Sequence, residues 1–438
     1  MKSSALTPSV VVPATASGAN NPAGVALIVG IVGVLIGLGG IFWGVSKEVP
    51  DPRPLIGWLI GFAFWFAMSI GMTYQVMLYY LFDAGWSIIV RRQLEHFIGS
   101  FRVLAVCFLP LLLVALFGRN PGLLWPWRNP DMPLPVLGGE TIAEDPLFIW
   151  KHAYFALPFF LLRLAIYASV FIGLAYQFRK NSFAMDKDAN PQHVLNCRKW
   201  SAFGVIAVSM AATFAAFDFF MSLSYQWFST MYGVWFFATS MRCGFAGTVI
   251  LCYFLSNKPG RPLYGIYNRA HQYLLGCLCL TFTIFWAYIT FCQYFLIYNA
   301  DIPEETFWFN VRELGSDWLH NSWWWVSLAL IFGYFFLPFF ALLSYNNKVK
   351  RKNLLVIAFW ILSFHLLDLY FNILPAKLPS DANVLGFTVR EFRPSIWDVS
   401  SLVGIGGLVI WAFLKSRPQA EDIPIHDPRI EESLHYHE

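Results

Sequence analysis

Ten long apolar stretches dominate this sequence and constrain what the chain can fold into. Hydrophobic residues make up 57% of its 438 residues and charged residues only 13%, a composition too apolar for a soluble surface. A helix needs about 20 apolar residues to cross a bilayer. The stretches of suitable length are 24–45, 54–82, 97–117, 153–178, 200–222, 227–256, 269–298, 322–345, 353–374 and 397–415. We therefore expect an all-α integral membrane protein with ten transmembrane helices.

Two intramembrane aspartates at matching places indicate a repeated architecture. Asp218 lies in FDFFMSL near the end of the fifth stretch, and Asp368 lies in LDLYFNIL near the end of the ninth. Helices 2–5 and 6–9 would run in the same order of directions, so an axis along the membrane normal would relate them. The sequence predicts two four-helix bundles, at about 54–222 and 227–374, with helices 1 and 10 at the periphery.

The two ends of the chain flank a predicted membrane domain over residues 23–415. Residues 1–22 lack the charged start and apolar core of a secretory signal, and we expect a flexible cytoplasmic arm. Residues 416–438 are polar and of mixed charge, which predicts a solvated cytoplasmic tail.

Orientation follows from the lysines and arginines in the connections. They are more numerous on the side that carries the termini, where Arg91 and Arg92 are expected to lie in a connecting segment. This bias predicts a multi-pass protein of a bacterial inner membrane with both termini in the cytoplasm. The connections on the other side are long and rich in Pro and Trp, at 118–152, 299–321 and 375–396. They suit docking of extramembrane partners, although an interfacial tryptophan belt is the favoured interpretation for Trp323, Trp324 and Trp325.

Cysteine and histidine usage argues against redox centres held by this chain. The seven cysteines form no C-x-x-C and no iron–sulfur spacing, and most lie in apolar stretches. His365 is the only histidine near the centre of a stretch, whereas a membrane haem needs facing ligands at similar depth. We therefore expect no haem, no iron–sulfur cluster, no metal site and no catalytic residue in this chain, and nothing indicates nucleic-acid binding.

Ionisable residues inside the apolar stretches are the candidate functional groups, because burying them in hydrocarbon is costly. His365 and Asp368 are three residues apart and share a helix face. One hypothesis is a proton route; the alternative is that these charges lock helices together. For Arg102 the alternative is favoured, because it lies near enough to the surface to snorkel. The proton-route candidates are Asp218, His365, Asp368, Arg163 and Arg242.

A quinone site would need aromatic walls and one or two polar groups within the membrane. Packing is the favoured interpretation for all the residues that offer this chemistry, since such side chains are ordinary in membrane interiors. The candidates are Trp65, Tyr74 and Gln75 on helix 2, and Trp286, Tyr288 and Gln293 on helix 7.

Three strings resemble a known family. They are FDFFMSLSYQWFSTMYGVWFFA (217–238), TFTIFWAYITFCQYFLIYNADIPEET (281–306) and HLLDLYFNILP (365–375). Together with the ten-span region they resemble the ActF family of membrane subunits of bacterial alternative complex III, in the NrfD-like, polysulfide-reductase membrane-subunit superfamily. The match carries over Asp218 and Asp368 as the membrane acids, and Gln226 stands where relatives commonly have a histidine.

The resemblance implies a subunit of a quinol:cytochrome c (or other periplasmic acceptor) oxidoreductase in a respiratory chain. Its haems and iron–sulfur clusters would reside in partner subunits, and this chain would bind at most a quinone or menaquinone. The implied partners are a related ten-helix NrfD-like subunit that oxidises quinol, an iron–sulfur subunit, multihaem and monohaem cytochrome c subunits, lipids and a terminal oxidase. This chain would support the quinol-oxidising copy and conduct protons. A secondary transporter of an ion or small solute and a purely structural anchor are the alternatives.

Overall fold

A computed structural model describes residues 22–133, 141–314, 319–375 and 391–436. Within these ranges ten helices are long and apolar enough to cross a membrane, which confirms the ten predicted spans. We number them in chain order: α1 (Pro22–Ser46), α2 (Arg53–Leu81), α3 (Gly85–Phe117), α4 (Leu157–Asp188), α5 (Gln192–Ser224), α6 (Tyr232–Ser256), α7 (Arg269–Ala300), α8 (Ser322–Leu343), α9 (Arg351–Ile373) and α10 (Ile396–Gln419).

Some predictions fall on residues outside the described ranges. The predicted arm lies there over residues 1–21, as do parts of the long connections at 134–140, 315–318 and 376–390. The last two residues of the predicted tail also lie outside.

Contacts between the connections define two faces of the molecule. On one face, which we call the termini face, Asp83 after α2 pairs with Arg198 of α5, and Arg429 Nη1 of the tail donates to the Asp83 carbonyl at 2.7 Å. On the other, the opposite face, Arg53 Nη2 at the start of α2 lies 2.5 Å from Asp398 Oδ2 at the start of α10. These contacts agree with helices that alternate in direction.

Helix α2 lies at the centre of the molecule. It is the most buried span, and it contacts α3, α5, α6, α9 and α10. Small residues bring α2 and α6 close together: a Cβ built on Gly244 would lie 2.7 Å from the backbone of Gly71. One turn away, Thr248 Oγ1 donates to Gln75 Oε1 at 2.9 Å. Side-chain polar groups thus join two helices whose backbones nearly touch, a common mode of packing in membranes.

Helix α10 packs between α1 and α2. Glycines form the α1 contact, where a Cβ built on Gly33 would lie 2.5 Å from the Cα of Gly404. A Cβ on Gly39, on another side of α1, would meet nothing within 4 Å. The first and last spans are therefore held together by direct backbone contact, while most of the α1 surface remains exposed.

Helix α3 begins earlier than the sequence predicted. The prediction placed Arg91 and Arg92 in a solvated connection before 97–117, but α3 already begins at Gly85, and the two arginines are only 4% and 0% exposed. That placement was wrong because hydropathy excludes charged residues from a predicted span, even when their charges are paired inside the protein. Arg92 Nη1 lies 2.6 Å from Asp186 Oδ2 of α4, and Arg91 Nε lies 3.4 Å from Glu95 Oε1.

The described part of the carboxyl-terminal tail, for which the sequence predicted a solvated segment, keeps many residues exposed but packs several side chains against the termini face. Asp427 Oδ2 accepts a hydrogen bond from Arg91 Nη2 at 2.6 Å, and Ser433 Oγ donates to the Trp86 carbonyl at 2.8 Å. Both tail side chains are buried. Their partners lie 336 and 347 positions away in sequence, so local composition carries no sign of them.

The opposite face carries short helices between the spans, at Pro146–Phe155 and Pro303–Glu313. Arg312, at the end of the second, donates from Nε to the Phe371 carbonyl at 2.8 Å and so caps α9. Of the predicted tryptophan belt, Trp325 is 66% exposed as a belt residue would be, but Trp323 is fully buried.

Helix α8 contains a π-helical segment, Leu330–Phe336. The Leu337 N–H bonds to the carbonyl five residues earlier, at Phe332, and Pro338 has no N–H to donate. The carbonyls of Gly333 and Tyr334, which stand five and four residues before Pro338, accept side-chain donors instead. π-Helical turns are frequent at functional sites, and this one faces the buried charges described next.

Candidate functional site

Arg163 of α4 and Asp218 of α5 form a bidentate ion pair. Arg163 Nε and Nη2 each donate to a different carboxylate oxygen of Asp218 at 2.8 Å, and the Tyr167 hydroxyl donates to Oδ2 at 2.6 Å. The third nitrogen, Nη1, donates to the Tyr154 carbonyl at 2.8 Å. Asp218 is fully buried. Both oxygens of this carboxylate therefore have fixed donors, which hold the ion pair in one geometry.

Phenylalanines fill the space between the helices from this ion pair towards the termini face. Phe219, next to Asp218, lies 4.5 Å from Phe108 between ring centroids, and Phe171 stacks on Phe101 at 5.1 Å. Phe66 of α2 contacts Phe219, Phe171 and Phe101 at 5.3–6.4 Å. A close-packed aromatic interior of this kind excludes water.

Asp368 of α9 lies in a different environment, although its position in the chain matches that of Asp218. Its Oδ2 accepts hydrogen bonds from Thr239 Oγ1 at 3.2 Å and from Trp286 Nε1 at 3.1 Å, while Asn372 Nδ2 donates to Oδ1 at 3.2 Å. Among the described residues Asp368 takes part in no ion pair, and it is 1% exposed. A buried carboxyl group here is held only by neutral donors.

His365 lies one turn below Asp368 and shares a partner with it. Thr239 Oγ1 is 3.3 Å from His365 Nδ1 as well as within hydrogen-bonding distance of Asp368. The pair predicted on one helix face is thus linked through a hydroxyl on α6. His365 Nε2 is buried and has no partner among the described residues.

Arg242 of α6 brings a buried positive charge to the same place. One nitrogen, Nη2, donates to the Tyr334 carbonyl, and the guanidinium lies 3.7 Å from the centroid of the Tyr334 ring. Nε and Nη1 are buried with no acceptor in the described protein, as is Ser240 Oγ. Buried donors of this kind are usually satisfied by ordered water. We define the α6–α9 cluster as Thr239, Arg242, Trp286, His365 and Asp368. Its interior is polar, whereas phenylalanines surround the ion pair between α4 and α5.

The π-helical segment of α8 explains how Arg242 is held. Because Pro338 has no N–H, the Tyr334 carbonyl is open to Arg242, and the Gly333 carbonyl accepts Trp360 Nε1 at 2.7 Å. A regular helix would have used these carbonyls internally. The sequence signal for this arrangement was Pro338 within an apolar stretch, but nothing near it identifies the arginine that takes the carbonyl.

The structure does not bring the predicted quinone contacts together. Tyr288 is 60% exposed on the outside of α7, while Gln293 is buried. Four others use their polar atoms between helices: Trp65 bonds to the Leu402 carbonyl at 2.8 Å, Tyr74 to Ser209 Oγ at 2.9 Å, Gln75 to Thr248, and Trp286 to Asp368. Arg102 is exposed, and it belongs neither to the Arg163–Asp218 ion pair nor to the α6–α9 cluster.

Glu95 is a buried acid that sequence reasoning missed. It lies on α3 at the termini face, where the Tyr80 hydroxyl donates to Oε1 at 2.7 Å and Ser182 Oγ donates to Oε2. Arg91 and Arg92 stand beside it, and its exposure is 0%. The spacing of Arg91, Arg92 and Glu95 on one helix turn was the available signal. These paired charges lie at the termini-face end of the phenylalanine-filled interior.

A pocket of about 180 Å³ opens beside the α4–α5 ion pair on the opposite face. Its wall includes Tyr154, Ser222, Trp227 and Lys151, whose Nζ donates to the Tyr225 carbonyl at 2.7 Å. Burial of the ammonium group lowers the pKa of Lys151 to about 8, opposed by the nearby Asp145 carboxylate.

Comparison with known proteins adds no relatives to this description. No model of a known protein family matches the chain, and no curated protein matches it significantly.

Proposed function

We propose that this chain is a proton-conducting membrane subunit, without redox centres of its own, of a quinol-oxidising complex of the alternative complex III type. The resemblance of its sequence motifs supports the complex, and the contacts of Asp368 support the role. In this proposal α2–α5 and α6–α9 form two four-helix bundles with different tasks. The first is a rigid support for a quinol-oxidising partner, and the second carries protons.

The observation that carries the proton role is that Asp368 is buried with neutral donors only. A carboxyl group in this setting can gain or lose a proton without breaking an ion pair. Thr239 contacts both Asp368 and His365, so a proton can pass between the two through one hydroxyl. Arg242 supplies positive charge nearby, which stabilises the carboxylate when the proton has left.

Asp218 serves as the internal comparison because its charge is already matched. Protonating it would leave the Arg163 guanidinium buried without a counter-ion, which costs several kcal/mol. Packed phenylalanine rings lie beside it on the way towards the termini face. The repeated aspartates therefore have different roles: Asp218 joins α4 to α5, and Asp368 exchanges protons.

The test compares Asp368→Asn with Asp218→Asn in the assembled complex. Quinol oxidation and proton release are measured in sealed proteoliposomes, normalised to the amount of intact complex. We expect Asp368→Asn to lower the ratio of protons to electrons while Asp218→Asn leaves that ratio unchanged. Asp368→Glu, which keeps an exchangeable proton, should restore most of it.

Two outcomes would contradict this proposal. Unchanged proton release in Asp368→Asn would leave only the anchoring role, which predicts that both variants behave alike. Solute or ion uptake by the chain alone in liposomes would favour a secondary transporter.

The proposed location is a bacterial inner membrane with the termini face in the cytoplasm. Labelling of a cysteine introduced at Lys258 in intact cells would check this orientation.

A further inference from the structure

Within the part of the chain that the structure describes, six exposed cations on the termini face have no carboxylate partners. They lie in the α6–α7 connection, 257–269, and the α8–α9 connection with the start of α9, 344–352. Neither segment contains Asp or Glu. Among the ion pairs of the described residues, none involves any of these cations. We call this group the basic patch: Lys258, Arg261, Arg269, Lys350, Arg351 and Lys352.

Contacts between the two segments make the patch one surface. Arg351 Nη2 donates to the Tyr267 carbonyl at 2.6 Å, and Nη1 donates to the Ser256 carbonyl at 3.2 Å. Close by, the Lys348 ammonium lies 4.7 Å from the centroid of the Tyr273 ring. The ends of α6, α7 and α9 therefore present their positive charges side by side.

Other cations on the same face are treated differently. Arg91 pairs with Asp427, Arg92 with Asp186, Arg198 with Asp83, and Arg417 with Asp422. The tail comes near the patch, where Asn268 Nδ2 donates to the Tyr436 carbonyl at 2.7 Å, but its Glu431 and Glu432 pair with His435 and Arg429. Carboxylates thus neutralise four arginines elsewhere on this face, whereas among the described residues none neutralises a cation of the basic patch.

The patch lies at the level where membrane spans end. Phe254 on α6, Tyr264 after it and Tyr345 after α8 are 50%, 49% and 51% exposed. Exposed aromatic rings at the ends of apolar spans are typical of the head-group layer of a bilayer. An anion that meets the patch there approaches within the plane of the membrane.

We propose that the basic patch binds the phosphate groups of anionic phospholipids. Lysine and arginine clusters beside span ends recognise such head groups through charge and hydrogen bonds to phosphate oxygens. Because two connections contribute cations, a lipid with two phosphodiesters, such as cardiolipin, is favoured over one with a single phosphate. This inference is independent of the proton role.

The experiment measures lipid binding to the delipidated full-length chain by native mass spectrometry. Cardiolipin, phosphatidylglycerol and phosphatidylcholine are titrated against the wild-type chain, the patch variant Lys258→Gln/Lys350→Gln/Lys352→Gln, and a matched control, Lys180→Gln/Lys187→Gln/Lys199→Gln. The control removes three lysines from the same face, near Asp186 and Asp188. Size-exclusion chromatography in detergent confirms that all three proteins are folded.

We expect the wild-type and control chains to bind cardiolipin more tightly than phosphatidylcholine. The patch variant should lose about fivefold in affinity for each lysine removed, about a hundredfold in total. Equal cardiolipin binding by the two variants would overturn the proposal. So would unchanged lipid binding by the patch variant together with loss of an acidic protein subunit when the same variant is purified within the assembled complex, which would assign the surface to that protein.

Discussion

Replacing Asp218 with Asn should destabilise the protein far more than replacing Asp368 with Asn. The first change leaves Arg163 buried without the carboxylate that now accepts two of its donors. Loss of one partner of a buried ion pair costs about 3–5 kcal/mol. The second change breaks no ion pair, and an asparagine oxygen can still accept from Trp286 or Thr239, so we expect a cost of about 1 kcal/mol.

Thermal unfolding of the purified chain in detergent, followed by intrinsic tryptophan fluorescence, measures this difference. For a chain of this size each kcal/mol corresponds to about 1–2 °C. Asp218→Asn should therefore lower the melting temperature by about 3–10 °C, and Asp368→Asn by about 1–2 °C.

The double variant Arg163→Met/Asp218→Asn separates an unpaired charge from lost packing. Removing both charges should recover most of the stability, because a buried pair and an apolar replacement are often close in free energy. Equal melting temperatures for the two single variants would refute the argument, since they would show that Asp218 needs its ion pair no more than Asp368 needs its neutral donors.

Two further predictions concern packing and charge. Gly33→Ala should destabilise the protein by about 1–3 kcal/mol, because its Cβ would lie 2.5 Å from the Cα of Gly404, whereas Gly39→Ala, with open space around it, should not; equal melting temperatures would argue against the α1–α10 contact. Competitive amine labelling should give Lys151 a pKa of about 8, so that its reactive neutral form appears as the pH rises through that value; titration only near 10.5 would contradict its burial.

The sequence was sufficient for the spans because hydropathy over 20 residues is a local property. All ten predicted stretches correspond to helices, with ends that differ most where charged residues are buried. Residues 85–96 of α3 were left outside the predicted span, and Arg91 and Arg92 were assigned to a connection. Their partners on α4 and in the tail are fixed only by tertiary structure, so no local rule identifies them.

The ionisable members of the candidate site were predictable, but Thr239, which links Asp368 to His365, was not, and neither was the chemistry. The sequence identified Asp218 and Asp368 as equivalent acids of a repeat, with Arg163 and Arg242 as available charges. The structure shows that Arg163 reaches its acid while Arg242 is held by the Tyr334 carbonyl. The difference depends on a proline in a third helix, Pro338, and on the phenylalanines around Asp218, which hydropathy treats like any other apolar residue.

The glycine contact between α1 and α10 has a consequence for how the protein is made. The ribosome must add roughly 370 residues between Gly33 and Gly404, which takes about 20–75 s at usual synthesis rates. Throughout that time α1 lies in the membrane without α10, the helix against which it packs. A nascent chain that stops short of the tenth span therefore leaves the glycine face of α1 without the helix that covers it in the complete protein.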